Sequence, residues 1–256
     1  MPARSSARPP LLFVHGGYCD GWCWDPYFLP WFAARGYASY ALSLRGHGAS
    51  GGRESLFVAG LDDYVADVEH VAGTLDSPPV LIGHSMGAAI VERLMATRPV
   101  RASALLAPIP PGGLAPVAGR LLIWQPEYLV NMQRLDAPHL SGDILAALRP
   151  MYFSDDVAPE ILVQAVAHLT IESPRALLDL TLRLHDGKPV APAPLLVLGA
   201  EGDRISTPRD VRATASLYRT TPSIIRGLAH MMMLERDWQS VAQPLLAWLE
   251  KDVAVK

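Results

Sequence analysis

The sequence predicts an α/β protein. It has a mostly parallel sheet of about six strands, flanked by helices, with a helical lid inserted between two of the strands. Three observations carry this. Short apolar runs bounded by glycine, proline or polar residues alternate with segments of helical periodicity along most of the chain. From about Leu114 to Val190 the alternation stops and only helical pieces occur. The pentapeptide Gly83-His84-Ser85-Met86-Gly87 stands where a strand-like run meets a helix-like one.

The strand-like runs are Leu11–His15, Ala38–Leu42, Pro79–Gly83, Ala102–Leu106, Pro194–Leu198 and Ser223–Ile225. Each reads as a buried strand because it is short, mostly apolar and bounded by Gly, Pro or polar residues. The helix after Ser85 carries Ala88, Ala89, Ile90 and Leu94, and Pro99 stops it. Thr207-Pro208-Arg209-Asp210 offers an N-cap, a proline at the first helical position and an acid in the first turn. Val211, Thr214, Ala215 and Tyr218 then share one face. Near the C-terminus Trp238, Val241, Leu245 and Trp248 repeat helically, but Pro244 predicts a kink or two short helices. The inserted stretch holds Ile144–Leu148, Ile161–Leu169 and Ala176–Leu184 as helical pieces. An insertion of that size between strands reads as a lid, 114–190, on a core formed by 1–113 and 191–256.

Composition removes several function classes. Half of the 256 residues are hydrophobic and 18% are charged, against an average of about 25%, so the chain folds rather than staying disordered. A net charge of −3 leaves no basic footprint for nucleic acid. Two cysteines, Cys19 and Cys23, exclude a disulfide scaffold and a four-thiolate metal site. No His-x-x-x-His or Cys-x-x-Cys spacing occurs, so neither a metal nor a cofactor is expected. No apolar stretch reaches membrane-span length, and the basic MPARSSARPP is followed only by Leu11–Val14 before His15, too short for a signal-peptide core. The expectation is a soluble, cytoplasmic protein.

The chemistry centres on Ser85. A serine at the apex of a strand-to-helix turn adopts strained backbone geometry, and the residues two before and two after it must be small, as Gly83 and Gly87 are. A serine hydroxyl needs an adjacent base. Of the eight histidines, His230 follows the last strand in a short loop and so falls at the same sheet edge. His168 and His185 belong to the lid, His70 to an amphipathic helix, and His139 has no recognisable setting. Asp203, directly after the run Leu195–Leu198, is the carboxylate for the base, with Glu201 and Asp210 as competitors. Two backbone amides are required for a tetrahedral oxyanion. Met86, at the helix start, supplies one. Gly17 in His15-Gly16-Gly17-Tyr18 supplies the other, with Tyr18 as the fallback, and His15 holds the loop.

Taken together, HGGYCDGWCW, LRGHGAS, GHSMG, GAEGDRIS and LAHMMMLE resemble, in content and order, the motifs of the α/β-hydrolase superfamily, and the resemblance covers nearly the whole chain. It implies the α/β-hydrolase fold, with Ser85, Asp203 and His230 as nucleophile, acid and base. Only ten residues precede the first strand, so the family's leading β-hairpin is not expected. HGGYCDGWCW is also similar to the start of plant methylesterases and hydroxynitrile lyases. The lyases of that group carry a lysine after the histidine, where this chain has Met231, which favours the esterase side.

The expected activity is therefore hydrolysis of carboxylic esters, with thioesters and lactones open to the same chemistry. The substrate is expected to be a small to medium apolar ester. Tyr18, Trp22, Trp124, Tyr128 and Met231 are candidates for an apolar pocket, though such side chains are equally the ordinary content of a core. Acids outnumber bases in the lid, so no cationic patch invites a phosphate. Two other readings share these residues: a cofactor-free lyase, oxygenase or peroxidase of the same fold, and a ligand-binding receptor with little turnover.

Overall fold

Each of the six apolar runs becomes a strand in the computed structural model, which describes residues 8–127, 130, 146, 149–182 and 189–253. The strands are β1 Leu11–Val14, β2 Ser39–Leu42, β3 Val80–His84, β4 Ala102–Leu106, β5 Leu195–Ala200 and β6 Ser223–Ile225. All pair in parallel in the order β2-β1-β3-β4-β5-β6. Alternate side chains feed two separate cores. Phe13, Ile82, Ala104 and Leu198 enter one, and Leu12, Leu81, Leu105 and Val197 enter the other. Burial on both faces is why the inner strands β1, β3, β4 and most of β5 read as largely apolar runs rather than alternating ones, whereas the edge strands β2 and β6 are only partly covered.

Numbered in chain order over the described residues, the helices are α1 Phe28–Ala33, α2 Leu61–Thr74, α3 Met86–Thr97, α4 Ala115–Trp124, α5 Pro159–Ala167, α6 Pro174–Thr181, α7 Pro208–Leu217 and α8 Gln239–Trp248. α1 and α8 cover the face of Phe13; α2, α3 and α7 cover the other. The start of α7 follows its sequence signals. The Thr207 side chain accepts from the Asp210 N–H, and Asp210 answers the Thr207 N–H. Pro244 does not divide the last helix: α8 runs through it and ends in a wider π-type turn, Leu249–Val253. Val241, Ala242, Leu245 and Trp248 are all buried on the sheet, so tertiary packing outweighs the hydrogen bond that the proline cannot make.

Between β4 and β5 the described residues form α4, α5 and α6 and no strand. The expected helical piece Ile144–Leu148 lies almost wholly outside the described residues. The inserted segment is anchored to the rest of the chain by buried hydrogen bonds. The Ser173 hydroxyl donates to the Ala59 carbonyl at 2.6 Å while capping α6, and the Tyr64 hydroxyl donates to Glu172 Oε1 at 2.7 Å. No helix of the described residues is long and apolar enough to cross a membrane.

Candidate active site

Strand order sets the location. β1 connects to β2 on one side and lies against β3 on the other, so the chain reverses direction across the sheet between β1 and β3. Loops leaving the C-terminal ends of strands diverge at such a point and open a crevice. Val14 and Gly83 are in register, so the His15–Tyr18 loop and the turn at Ser85 leave the sheet side by side.

Ser85 sits at that turn with φ +53° and ψ −115°, a backbone geometry that side-chain-bearing residues rarely adopt. Its amide donates to the Leu106 carbonyl at 3.0 Å, which fixes the turn to β4. Both flanking glycines are needed. A Cβ on Gly83 would come 2.4 Å from the Gly87 carbonyl oxygen, and one on Gly87 would come 2.4 Å from that of Val14.

The structure brings Ser85, His230 and Asp203 into one hydrogen-bonded line. His230 Nε2 is 3.1 Å from Ser85 Oγ, and His230 Nδ1 is 2.8 Å from Asp203 Oδ2. With Nδ1–H donating to the carboxylate, Nε2 presents its lone pair to the hydroxyl, the tautomer a general base requires. Asp203 is itself held, since its Oδ1 accepts the N–H groups of Ile205 and Ser206 at 2.8 and 2.9 Å. The competitors lie elsewhere. Glu201 is exposed, and Asp210 caps α7 and pairs with Arg120 at 2.9 Å.

His84, inside the pentapeptide, has a role that sequence reasoning missed. Its Nε2–H donates to the His230 carbonyl oxygen at 2.9 Å. Burial, and then the neighbouring His230, hold His84 well below the ordinary histidine value, so it stays neutral.

The amides stand where the loops converge. Met86 is the first residue of α3, so its N–H has no intrahelical acceptor and points out of the helix N-terminus. Gly17 lines the same cavity as Ser85. Tyr18 is committed elsewhere: at φ +62° its N–H donates to Glu172 Oε2 at 3.3 Å and its carbonyl accepts from the Thr170 N–H at 3.1 Å. His15 is structural, with Nδ1–H donating to the Gly16 carbonyl at 2.7 Å and Nε2 accepting from the Leu44 N–H at 3.0 Å.

Two cavities meet here. One of about 180 Å³ contains Ser85, His230, Gly17 and Met86, walled by Leu114, Leu121 and other apolar side chains. A larger one of about 400 Å³ adjoins it and shares Gly17, Tyr18 and Tyr152. Trp22 and Met231 line the larger cavity, and Trp22 stacks on His168 with centroids 4.5 Å apart. Trp124 does not join them. At the end of α4 it is 74% exposed and borders neither cavity, because the buried side of that helix is the one carrying Val117 and Leu121. Tyr128, His139 and His185 lie outside the described residues.

A buried ionic cluster, also missed from sequence, lies behind the Gly17 loop. The Glu172 carboxylate, with no exposed side-chain surface, accepts from Tyr64 Oη at 2.7 Å, from the Ser173 N–H at 2.8 Å and from His47 Nε2 at 3.2 Å, besides Tyr18. His47 Nδ1 is 2.9 Å from the Arg45 carbonyl oxygen, which only accepts. With Glu172 ionised both ring nitrogens donate, which favours the imidazolium form of His47. Burial pulls His47 down, but its bonds to Glu172 and the charge there leave it raised. Burial likewise pushes Glu172 up, and His47, Tyr64 and Ser173 outweigh it, so the carboxyl ends lowered. No spacing signals this cluster, since Tyr18, His47 and Tyr64 are 154, 125 and 108 residues from Glu172.

A second buried carboxylate, Glu235, ties Ser154 of the inserted segment to the His230 loop. It accepts from the Ser154 N–H and hydroxyl at 2.7 and 2.6 Å and from the Ala229 N–H at 3.3 Å.

Comparison with known proteins fits this geometry. A curated monoacylglycerol lipase of Mycolicibacterium smegmatis is 27% identical over 236 residues, 85% of this chain and 80% of that protein. A pyrethroid hydrolase of Sphingobium wenxiniae is 29% identical over 96 residues, 38% of this chain and 34% of that one. The solved structure of a thermophilic esterase from Thermogutta terrifontis superposes with a TM-score of 0.73 over 95% of this chain and 90% of that chain; at 22% identity this is a likeness of fold. The model of the alpha/beta hydrolase family matches residues 11–243, from the first strand into the last helix, and the chain belongs to that family.

Proposed function

We propose that this protein is a serine hydrolase of carboxylic esters, in which Ser85 is the nucleophile, His230 the general base and Asp203 the carboxylate that orients the base. The observation that carries the reading is the line Ser85 Oγ–His230–Asp203 at the wall of an apolar cavity. Ser85 Oγ attacks the ester carbonyl as His230 Nε2 takes its proton. The oxyanion is held by the N–H groups of Gly17 and Met86, aided by the positive end of α3. His230 then returns the proton to the leaving alcohol, and a water activated by the same nitrogen releases the acid from Ser85.

The substrate is an uncharged ester with an apolar part, and thioesters and lactones are open to the same steps. The scissile group lies in the smaller cavity, and the longer apolar part extends past Tyr18 and Tyr152 into the larger one, against Trp22 and Met231. Residues 114–190 act as the lid that closes both. The named activities of the lipase and the pyrethroid hydrolase support this class of reaction.

The test is the hydrolysis rate across p-nitrophenyl esters from acetyl to palmitoyl, with Ser85→Ala as the blank. A Ser85-dependent profile with an optimum beyond acetyl is expected. Rates equal in wild type and Ser85→Ala for every ester would overturn the reading.

A further inference from the structure

We propose that Glu172 is a positioning residue that aims the Gly17 amide at the oxyanion, so that the inserted segment sets the catalytic competence of the core. The inference rests on the proposed ester hydrolysis and adds to it a residue from outside the Ser85-His230-Asp203 line.

The Gly17 amide can serve an oxyanion only if the loop that carries it is immobile. That loop turns at Tyr18 with φ +62°, a conformation a tyrosine does not keep unaided. Two bonds from one short stretch of the inserted segment hold it. The Thr170 N–H donates to the Tyr18 carbonyl, and Glu172 Oε2 accepts the Tyr18 N–H. Gripped at both ends, Tyr18 fixes the Gly17–Tyr18 peptide, the neighbour of the peptide that carries the Gly17 N–H. Glu172 also packs directly on the loop, since a Cβ on Gly17 would lie 3.3 Å from its Oε2.

The chemistry of the clamp requires a carboxylate. Oε1 accepts the Ser173 N–H and Oε2 the Tyr18 N–H. An amide in its place would set its NH₂ against one of those two donors, whichever way it is turned. A bare carboxylate this close to a developing oxyanion would oppose it, and the imidazolium of His47, 3.2 Å away, offsets that charge. Tyr64 Oη and the Ser173 N–H fix the other oxygen, so each partner of Glu172 either orients it or balances it.

The experiment compares wild type, Ser85→Ala, Glu172→Gln and Tyr64→Phe in p-nitrophenyl butyrate hydrolysis, with active sites counted by end-point labelling with a fluorophosphonate. In Glu172→Gln the kcat per labelled site is expected to fall by about 10- to 100-fold, the effect of a misplacement of an ångström or less, while KM stays within about twofold. Affinity for a boronic acid that forms a tetrahedral adduct should fall in step with kcat. Tyr64→Phe, which keeps the carboxylate and loses one bond to it, should lower kcat per site in the same direction by less. It carries the test if Glu172→Gln does not fold. A lower melting temperature with kcat per site unchanged, in whichever of the two folds, means that Glu172 is structural only and overturns the inference. Wild type without Ser85-dependent turnover would instead strike down the ester-hydrolase reading itself.

Discussion

His84 Nε2 donates to the main-chain carbonyl of His230 across 2.9 Å, so the residue before the proposed nucleophile holds the backbone of the proposed base. The bond ties the two loops to each other, although 146 residues separate them in sequence. Replacing His84 with Leu leaves a buried carbonyl without its donor. We expect a loss of about 1–3 kcal/mol in urea unfolding together with a fall in kcat. His84→Gln, which can still donate, should recover part of both.

Asp203→Asn should fold and lose about 10⁴-fold in kcat, with little change in KM. The backbone bonds from Ile205 and Ser206 keep the side-chain oxygen on their side and turn the new NH₂ toward His230 Nδ1. The ring must then accept at Nδ1 and carry its proton on Nε2, where it cannot take one from Ser85. Steady-state kinetics decide it; a loss of only a few fold would assign the carboxylate role to another residue.

Ala165 borders the larger cavity on α5. Ala165→Trp should narrow that space, moving the chain-length optimum to shorter esters while the acetyl ester is cleaved as before. An unmoved optimum in the p-nitrophenyl series would place the long part of the substrate elsewhere.

The His47–Glu172 pair predicts how stability depends on pH. Glu172 lies below its ordinary 4.5, so its contribution is complete above that value and is lost as the pH falls through its lowered pKa. His47 lies above its ordinary 6.5, so its contribution is complete below that value and is lost as the pH rises through its raised pKa. Melting temperature should therefore be highest between the two, and His47→Gln should remove the alkaline decline. A decline of equal size in His47→Gln would show that other groups cause it.

Local signals made the sheet and the pentapeptide legible. A strand buried on both faces is an apolar run, and the turn at Ser85 demands glycine at 83 and 87, where any Cβ would strike a carbonyl. The loops carrying Asp203 and His230 could be placed because each directly follows a strand. Glu172 was not legible, because a lone glutamate before Ser173-Pro174 reads as part of a helix start, and its meaning comes from partners brought together only by folding. Trp124 shows the opposite limit. Leu121 to Trp124 is uniformly apolar, yet Leu121 is 5% exposed and Trp124 74%, a difference of helix face that an unbroken apolar run does not encode.

The central claim is that Ser85 carries an acyl group during turnover, and rapid acid quenching tests it most directly. Wild type is mixed with excess p-nitrophenyl butyrate, stopped within the first turnover, digested and analysed by mass spectrometry. The account predicts a butyryl mass on the peptide containing Ser85, formed in step with the first release of p-nitrophenol and absent from Ser85→Ala. Turnover with no acyl group on that peptide at any time, or with the acyl group on another residue, would contradict it.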